Sequence, residues 1–176
     1  FTTRALWRDG LYIEPLERAG KTYIFGGGHV GRALVPVLAS VGFRVTMYDD
    51  RAALAKPERY PGADEVICGS FADISARVHL TADDYVVVMT PGHQADYEIL
   101  TQVLRSEATY IGCIGSRGKV AKTRERLLSD GFDEREIARI HAPIGLPILA
   151  ETPEEIAVSV AAEMIEHRAR RAGVKK

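Results

Sequence analysis

The stretch Lys21-Thr-Tyr-Ile-Phe-Gly26-Gly27-Gly28-His29-Val30-Gly31 decides the fold. Lys21 to Phe25 mixes β-branched and aromatic residues and reads as a strand, and the glycines after it read as a turn. His29 to Val41 then carries apolar residues at Val30, Leu34, Val37, Leu38 and Val41, a helical spacing. Gly42 stands where a helix-ending glycine belongs, and Pro36 predicts at most a kink. Strand, G-x-G-x-x-G turn and helix follow in the order a phosphate-cradling fingerprint needs. Gly26 permits the tight turn, Gly28 leaves a pyrophosphate free access to the backbone, and Gly31 lets the helix lie close to the strand. Unpaired N–H groups and the dipole at the helix start favour an anion. The alternative is a tight turn with a structural role only.

Outward from this unit the alternation continues. Phe43 to Tyr48 reads as a second strand ending in Asp49-Asp50, and Glu65 to Gly69 as a third. Phe71 to Val78 is expected to be a short helix. Asp84 to Thr90 is a fourth strand whose unbroken apolar centre predicts burial on both faces, hence a parallel sheet. Asp96 to Arg105 reads as helix, Thr109 to Ile114 as a fifth strand, and Ser116 to Ser129 as a helix closed by Gly131. Asp133 with Glu136, and Thr152-Pro153-Glu154-Glu155, are capping-box helix starts. Pro143 to Pro147 reads as a constrained loop. The last helix carries an apolar stripe at Ile156, Val160, Ala161, Met164 and Ile165. The pattern predicts an α/β doubly wound fold with a mainly parallel, Rossmann-like sheet and a C-terminal helix. Residues 1–20 are a lead-in with an edge strand expected over Leu11 to Leu16. Residues 21–172 form the Rossmann-like domain, and residues 173–176 a basic tail.

Composition narrows the function. The chain has 176 residues, 23 Lys+Arg against 24 Asp+Glu, and a formal net charge of −1. That balance supplies no field for nucleic acid, and the basic residues after His167 read as a solvated helix end. No apolar run approaches the roughly 20 residues needed to span a bilayer. Two cysteines, Cys68 and Cys113, are too few for a disulfide scaffold and weakly suggest a reducing, cytoplasmic setting. Cys113, within an apolar strand, reads as inert packing. The histidines are scattered without zinc-ligand spacing, and His29, inside the glycine turn, is the best placed of them to touch a ligand.

In such sheets the ligand crevice lies beyond the carboxyl ends of the strands. Asp49 and Asp50 stand where a dinucleotide fold holds a ribose hydroxyl, while Arg51 suits a phosphate instead. Thr90 and His93 follow the fourth strand, with Asp96 expected to orient His93. Gly115, Ser116, Arg117 and Lys119 follow the fifth. Cations in a helix's first turn oppose its dipole, a cost that an anionic ligand would explain. These residues do not decide the ligand's identity.

Tyr23 to Gly31, Val45 to Arg51, Tyr60-Pro-Gly-Ala-Asp64, Gly112 to Lys119, Pro143 to Pro147 and Thr152 to Glu163 together resemble the xanthine dehydrogenase accessory factors, the XdhC/CoxI family. The similarity runs from about Leu11 to His167 and corresponds to the family's C-terminal Rossmann-like domain. It implies a chaperone that binds the molybdenum cofactor (molybdopterin) and protects it during sulfuration. It implies as partners a molybdenum hydroxylase such as xanthine dehydrogenase and a sulfurating enzyme. A homodimer through the last helix is a separate expectation. Longer members carry an N-terminal domain with a cysteine motif. The start at Phe1 fits a C-terminal domain separated from such a half. Two rival expectations are an NAD(P)-dependent oxidoreductase, suggested by the Gly26 loop and Asp49/Asp50, and a nucleotide-sensing regulatory domain.

Overall fold

The computed structural model describes residues 6–13 and 20–173. Strands β1 (Leu6–Arg8) and β2 (Leu11–Ile13) pair antiparallel as a hairpin outside the main sheet. Asp9 and Gly10 turn it with φ of 51° and 78°, the conformation an Asp-Gly two-residue hairpin loop adopts. Leu11 to Ile13 of the expected edge strand therefore pairs with β1. The remainder of that strand, and residues 174–176 of the tail, lie outside the described residues.

The main sheet comprises β3 (Lys21–Phe25), β4 (Arg44–Asp49), β5 (Glu65–Cys68), β6 (Tyr85–Val88), β7 (Tyr110–Cys113) and β8 (Ile140–His141). Its order is β5-β4-β3-β6-β7-β8, and every neighbouring pair is parallel. This is the doubly wound dinucleotide-fold order, which reverses direction between β3 and β6. All of β6 is buried, as its unbroken apolar run requires. Helices α1 (His29–Ser40) and α5 (Pro153–Arg171) cover one face. Helices α2 (His93–Val103), α3 (Arg117–Ser129) and α4 (Glu134–Ile137) cover the other.

Local chemistry sets the helix ends. At the end of α1 the Gly42 amide donates to the Ala39 carbonyl and the Phe43 amide to the Leu38 carbonyl, with Gly42 at φ 82°. This double closure needs a residue comfortable at positive φ. Pro36 is exposed, and α1 continues through it. The expected capping boxes at Asp133/Glu136 and Thr152/Glu155 are both formed.

Three expectations change. Phe71 to Val78 forms turns, although Phe71, Ile74 and Val78 are buried as a helical stripe would be. Ser70 and Asp73 take the Ala72 and Ala76 amides, and Gln102 takes that of Ile74. Side chains thus supply partners that a helix would otherwise provide. In α5 the buried stripe is Ala157, Val160, Ala161 and Met164, and Ile165 is exposed. The two-residue β8 lies where the sequence shows only irregular chain, since so short a strand has no readable period.

Candidate functional site

The glycine loop sits at the carboxyl end of β3, at the reversal of strand order. Its glycines have different tasks. A Cβ on Gly26, whose φ is 114°, would stand 2.5 Å from the Met89 carbonyl oxygen. One on Gly31 would stand 2.2 Å from the Gly26 oxygen, and one on Gly27 2.1 Å from the Tyr60 hydroxyl. At Gly28, φ is −70° and no atom lies within 4 Å of such a Cβ. Gly28 is the N-cap of α1, with no side-chain cap and no acidic residue in the first turn. This edge of the loop is open and its donors suit an anion. His29 is exposed beside it and Val30 half-buried.

The loop is held from behind. The Gly27 amide donates to Asp49 Oδ2 at 2.7 Å, and the Tyr60 hydroxyl to the Gly27 carbonyl at 3.0 Å. Arg51 donates through Nη2 to Asp49 Oδ2 at 2.7 Å, and through Nε and its amide to Oδ1 at 2.8 and 2.9 Å. Asp49 is wholly buried. Burial would raise its carboxyl, but the Arg51 guanidinium and the two amides outweigh this and hold it below the usual carboxylate range. Each Asp49 oxygen already accepts two hydrogen bonds, so this acid braces the loop and leaves no acceptor position open to a ribose. Asp50 is the exposed acid at this strand end, 3.7 Å from Arg51 Nε.

Across the switch point the second wall is built around Asp96, not around His93. Asp96 is buried, and its Oδ1 accepts from the Thr90 hydroxyl at 2.6 Å and the Thr90 amide at 3.0 Å. Its Oδ2 is ion-paired with Lys119. The expected link from Asp96 to His93 is thus replaced by one to Thr90 and Lys119, and His93 is exposed. Gly115 has a concrete purpose here, since a Cβ on it would lie 2.9 Å from Lys119 Cδ. Ser116 caps α3 by accepting from the Lys119 amide, and Arg117 is exposed at the helix start. The thiol of Cys113 is pushed up to about 12 by burial and by Asp96, with Lys119 partly offsetting. It is a poor nucleophile there.

Residues 22–164 of this braced, glycine-turned sheet match the XdhC Rossmann domain. The chain belongs to the XdhC Rossmann-domain family. Its relatives include an uncharacterized Escherichia coli protein, YqeB, which is 32% identical over 89% of this chain and 29% of its own length. A Bacillus subtilis protein described as a probable xanthine dehydrogenase subunit is 34% identical over 91% of this chain and 46% of its own. A solved structure described as a xanthine dehydrogenase from Bacillus halodurans superposes with a TM-score of 0.76 at 34% identity, covering 86% of this chain and 43% of that one. The chain therefore spans less than half of each of these relatives.

This XdhC domain also has a polar cluster that no local sequence pattern announces, because its side chains come from β7, β8 and α5. Glu163 Oε1 accepts from the Tyr110 hydroxyl at 3.0 Å and lies 2.7 Å from His141 Nδ1, while Oε2 accepts from the Gly145 amide. Burial would raise the Glu163 carboxyl, but His141, the amide and the phenol together lower it. The cluster staples α5 to β7 and β8. Tyr60 acts through its hydroxyl on the Gly27 carbonyl, and Asp96 through Thr90 and Lys119 in place of the expected His93. Among the described residues, no helix is long and apolar enough to cross a membrane.

Proposed function

We propose that this chain is the anion-holding domain of a xanthine dehydrogenase accessory factor. In this reading it binds the phosphate-bearing molybdenum cofactor and presents it to a molybdenum hydroxylase of the xanthine dehydrogenase type, with a sulfurating enzyme as a further partner. The observation that carries it is the open Gly28 edge of a loop braced from behind by Asp49 and Tyr60. The family membership and the xanthine dehydrogenase names of two relatives supply the biological context.

The residues fit such a ligand. Amides at the start of α1 donate to a phosphate, with the helix dipole behind them. Arg117, exposed in the first turn of α3, meets a second negative group, and His29 and His93 flank the opening. Lys119 has less freedom, because its ammonium balances the buried Asp96. When bound, the cofactor supplies its own metal and dithiolene chemistry, and this chain orients and shields it. The exposed Val158 and Ile165 on α5 are the natural place for a homodimer contact, which sedimentation of Val158→Glu against the unsubstituted chain would test.

One observation favours a second reading. Asp50 is exposed beside Arg51 at the end of β4, where a dinucleotide's ribose would lie. Bound NAD(P) with hydride transfer would mark an oxidoreductase, and bound nucleotide without turnover a sensor. The deciding experiment is purification from cells that make the molybdenum cofactor, followed by mass and metal analysis of the bound small molecule. Molybdenum with a pterin supports the accessory role. NAD(P) without molybdenum overturns it.

A further inference from the structure

Helix α3 is unusual in what it covers. Leu127 is its only buried residue. Beneath it lies a mainly apolar cavity of about 240 Å³, with Leu100, Cys113, Ile114, Val120, Ile137 and Ile140 in its walls. Beside it, between α3 and the start of α2, runs a groove of about 560 Å³ lined by His93, Tyr97, Lys122 and Arg126. Lys119 and Thr123 border both spaces. The cavity opens to solvent beside the Arg124–Glu134 pair, so a ligand that covers its apolar walls gains from their removal from water.

The charge that α3 brings beside the cavity is predominantly positive. Helix α3 contains Arg117, Lys119, Lys122, Arg124 and Arg126 against Glu125. Asp96 balances Lys119 and Glu134 balances Arg124. The Arg126 guanidinium lies 3.7 Å over the Tyr97 ring and donates to Gln94 Oε1 at 2.9 Å, with no ion pair to a described residue, while the Tyr97 hydroxyl donates to Asp130. Lys122, exposed on the groove, forms no ion pair with any described residue. The groove is therefore cationic along one side, and the cavity next to it is mainly apolar.

We propose that cavity and groove form one bipartite site for a small amphipathic anion, a flat apolar ring system with an acidic group. The ring lies under α3 against Val120 and Ile137, and the acid reaches Lys122 and Arg126. An apolar cavity of about 150 Å³ is enough to hold benzene, so this one has room for a fused pair of rings. The site uses no residue of the glycine loop and stands whether or not that loop holds a cofactor.

The test uses naphthalene-2-sulfonate as the probe and 2-acetylnaphthalene as its neutral counterpart, titrated into the full chain and followed by two-dimensional amide NMR. The sulfonate should move the signals of Cys113, Ile114, Val120 and Ile137, and the neutral compound should bind about tenfold more weakly. Thr123→Trp, which fills the shared border, should abolish binding. Lys122→Glu, at an exposed position, should weaken it by about fivefold to tenfold. Shifts confined to other surfaces overturn the proposal, as does unchanged affinity in Lys122→Glu. The map is made on the unsubstituted chain, so it decides the matter even where the tryptophan variant fails to fold.

Discussion

Replacing the loop glycines one at a time by alanine separates folding from binding, because the surroundings of each differ so sharply. A methyl at Gly31 would stand 2.2 Å from the Gly26 carbonyl oxygen, a backbone atom that cannot swing aside. Overpacking of this kind costs about 1–3 kcal/mol, and for a chain of this size each kcal/mol lowers Tm by about 2–4 °C. Gly31→Ala should therefore melt about 2–12 °C lower. A methyl at Gly28 meets nothing within 4 Å, at a φ of −70° that alanine adopts freely. Replacing the glycine N-cap by alanine costs on the order of 0.5–1 kcal/mol, and the stiffer unfolded chain returns about 0.4–1 kcal/mol. The Gly28→Ala Tm should stay within about 2 °C of the parent. Its methyl nevertheless occupies the approach to the α1 amides and should weaken pyrophosphate by about tenfold to a hundredfold, the worth of one charge-assisted hydrogen bond. Circular-dichroism melts and isothermal titration with pyrophosphate read both quantities. Parent-like pyrophosphate affinity in Gly28→Ala would refute the reasoning, and so would a Tm as low as that of Gly31→Ala.

Three other outcomes follow from the same geometry. Asp49 is held below its ordinary range, so its contribution is complete above about pH 4 and is lost as pH falls through its lowered folded value. Urea midpoints should fall over that acid window, and Asp49→Asn should be less stable at neutral pH and flatter across it. Lys119→Met strands the buried Asp96 charge, so chemical denaturation should show a loss of about 3–5 kcal/mol, with Asp96→Asn in the same chain restoring much of it. Leu149 is 94% exposed at φ 61°; Leu149→Asn should relieve about 1 kcal/mol of left-handed strain and raise Tm by about 2–4 °C.

Some of this architecture was legible in the residues alone. The β3–turn–α1 unit was, because glycine spacing, β-branched content and helical period all act within a few residues. The capping boxes at Thr152 and Asp133 were legible for the same reason. Phe71 to Val78 misled because its apolar spacing was helical while Ser70, Asp73 and the remote Gln102 took the amides. His93 drew attention as a histidine at a strand end, yet Asp96 is the residue around which that wall is organised. No local pattern distinguishes an aspartate that braces a loop from one that meets a ligand.

Sequence by itself determined most of the alternation of strands and helices, the glycine turn, and the place of that turn at the carboxyl end of β3. All three depend on period, turn chemistry and helix handedness, which are short-range. Only the tertiary structure decided that Asp49 is consumed by Gly27 and Arg51, that Lys119 balances Asp96, and that α3 roofs an apolar cavity beside a cationic groove. Those outcomes depend on which groups become neighbours once water is excluded. A buried charge takes whatever partner the packing brings to it, and that choice is made across the fold rather than along the chain.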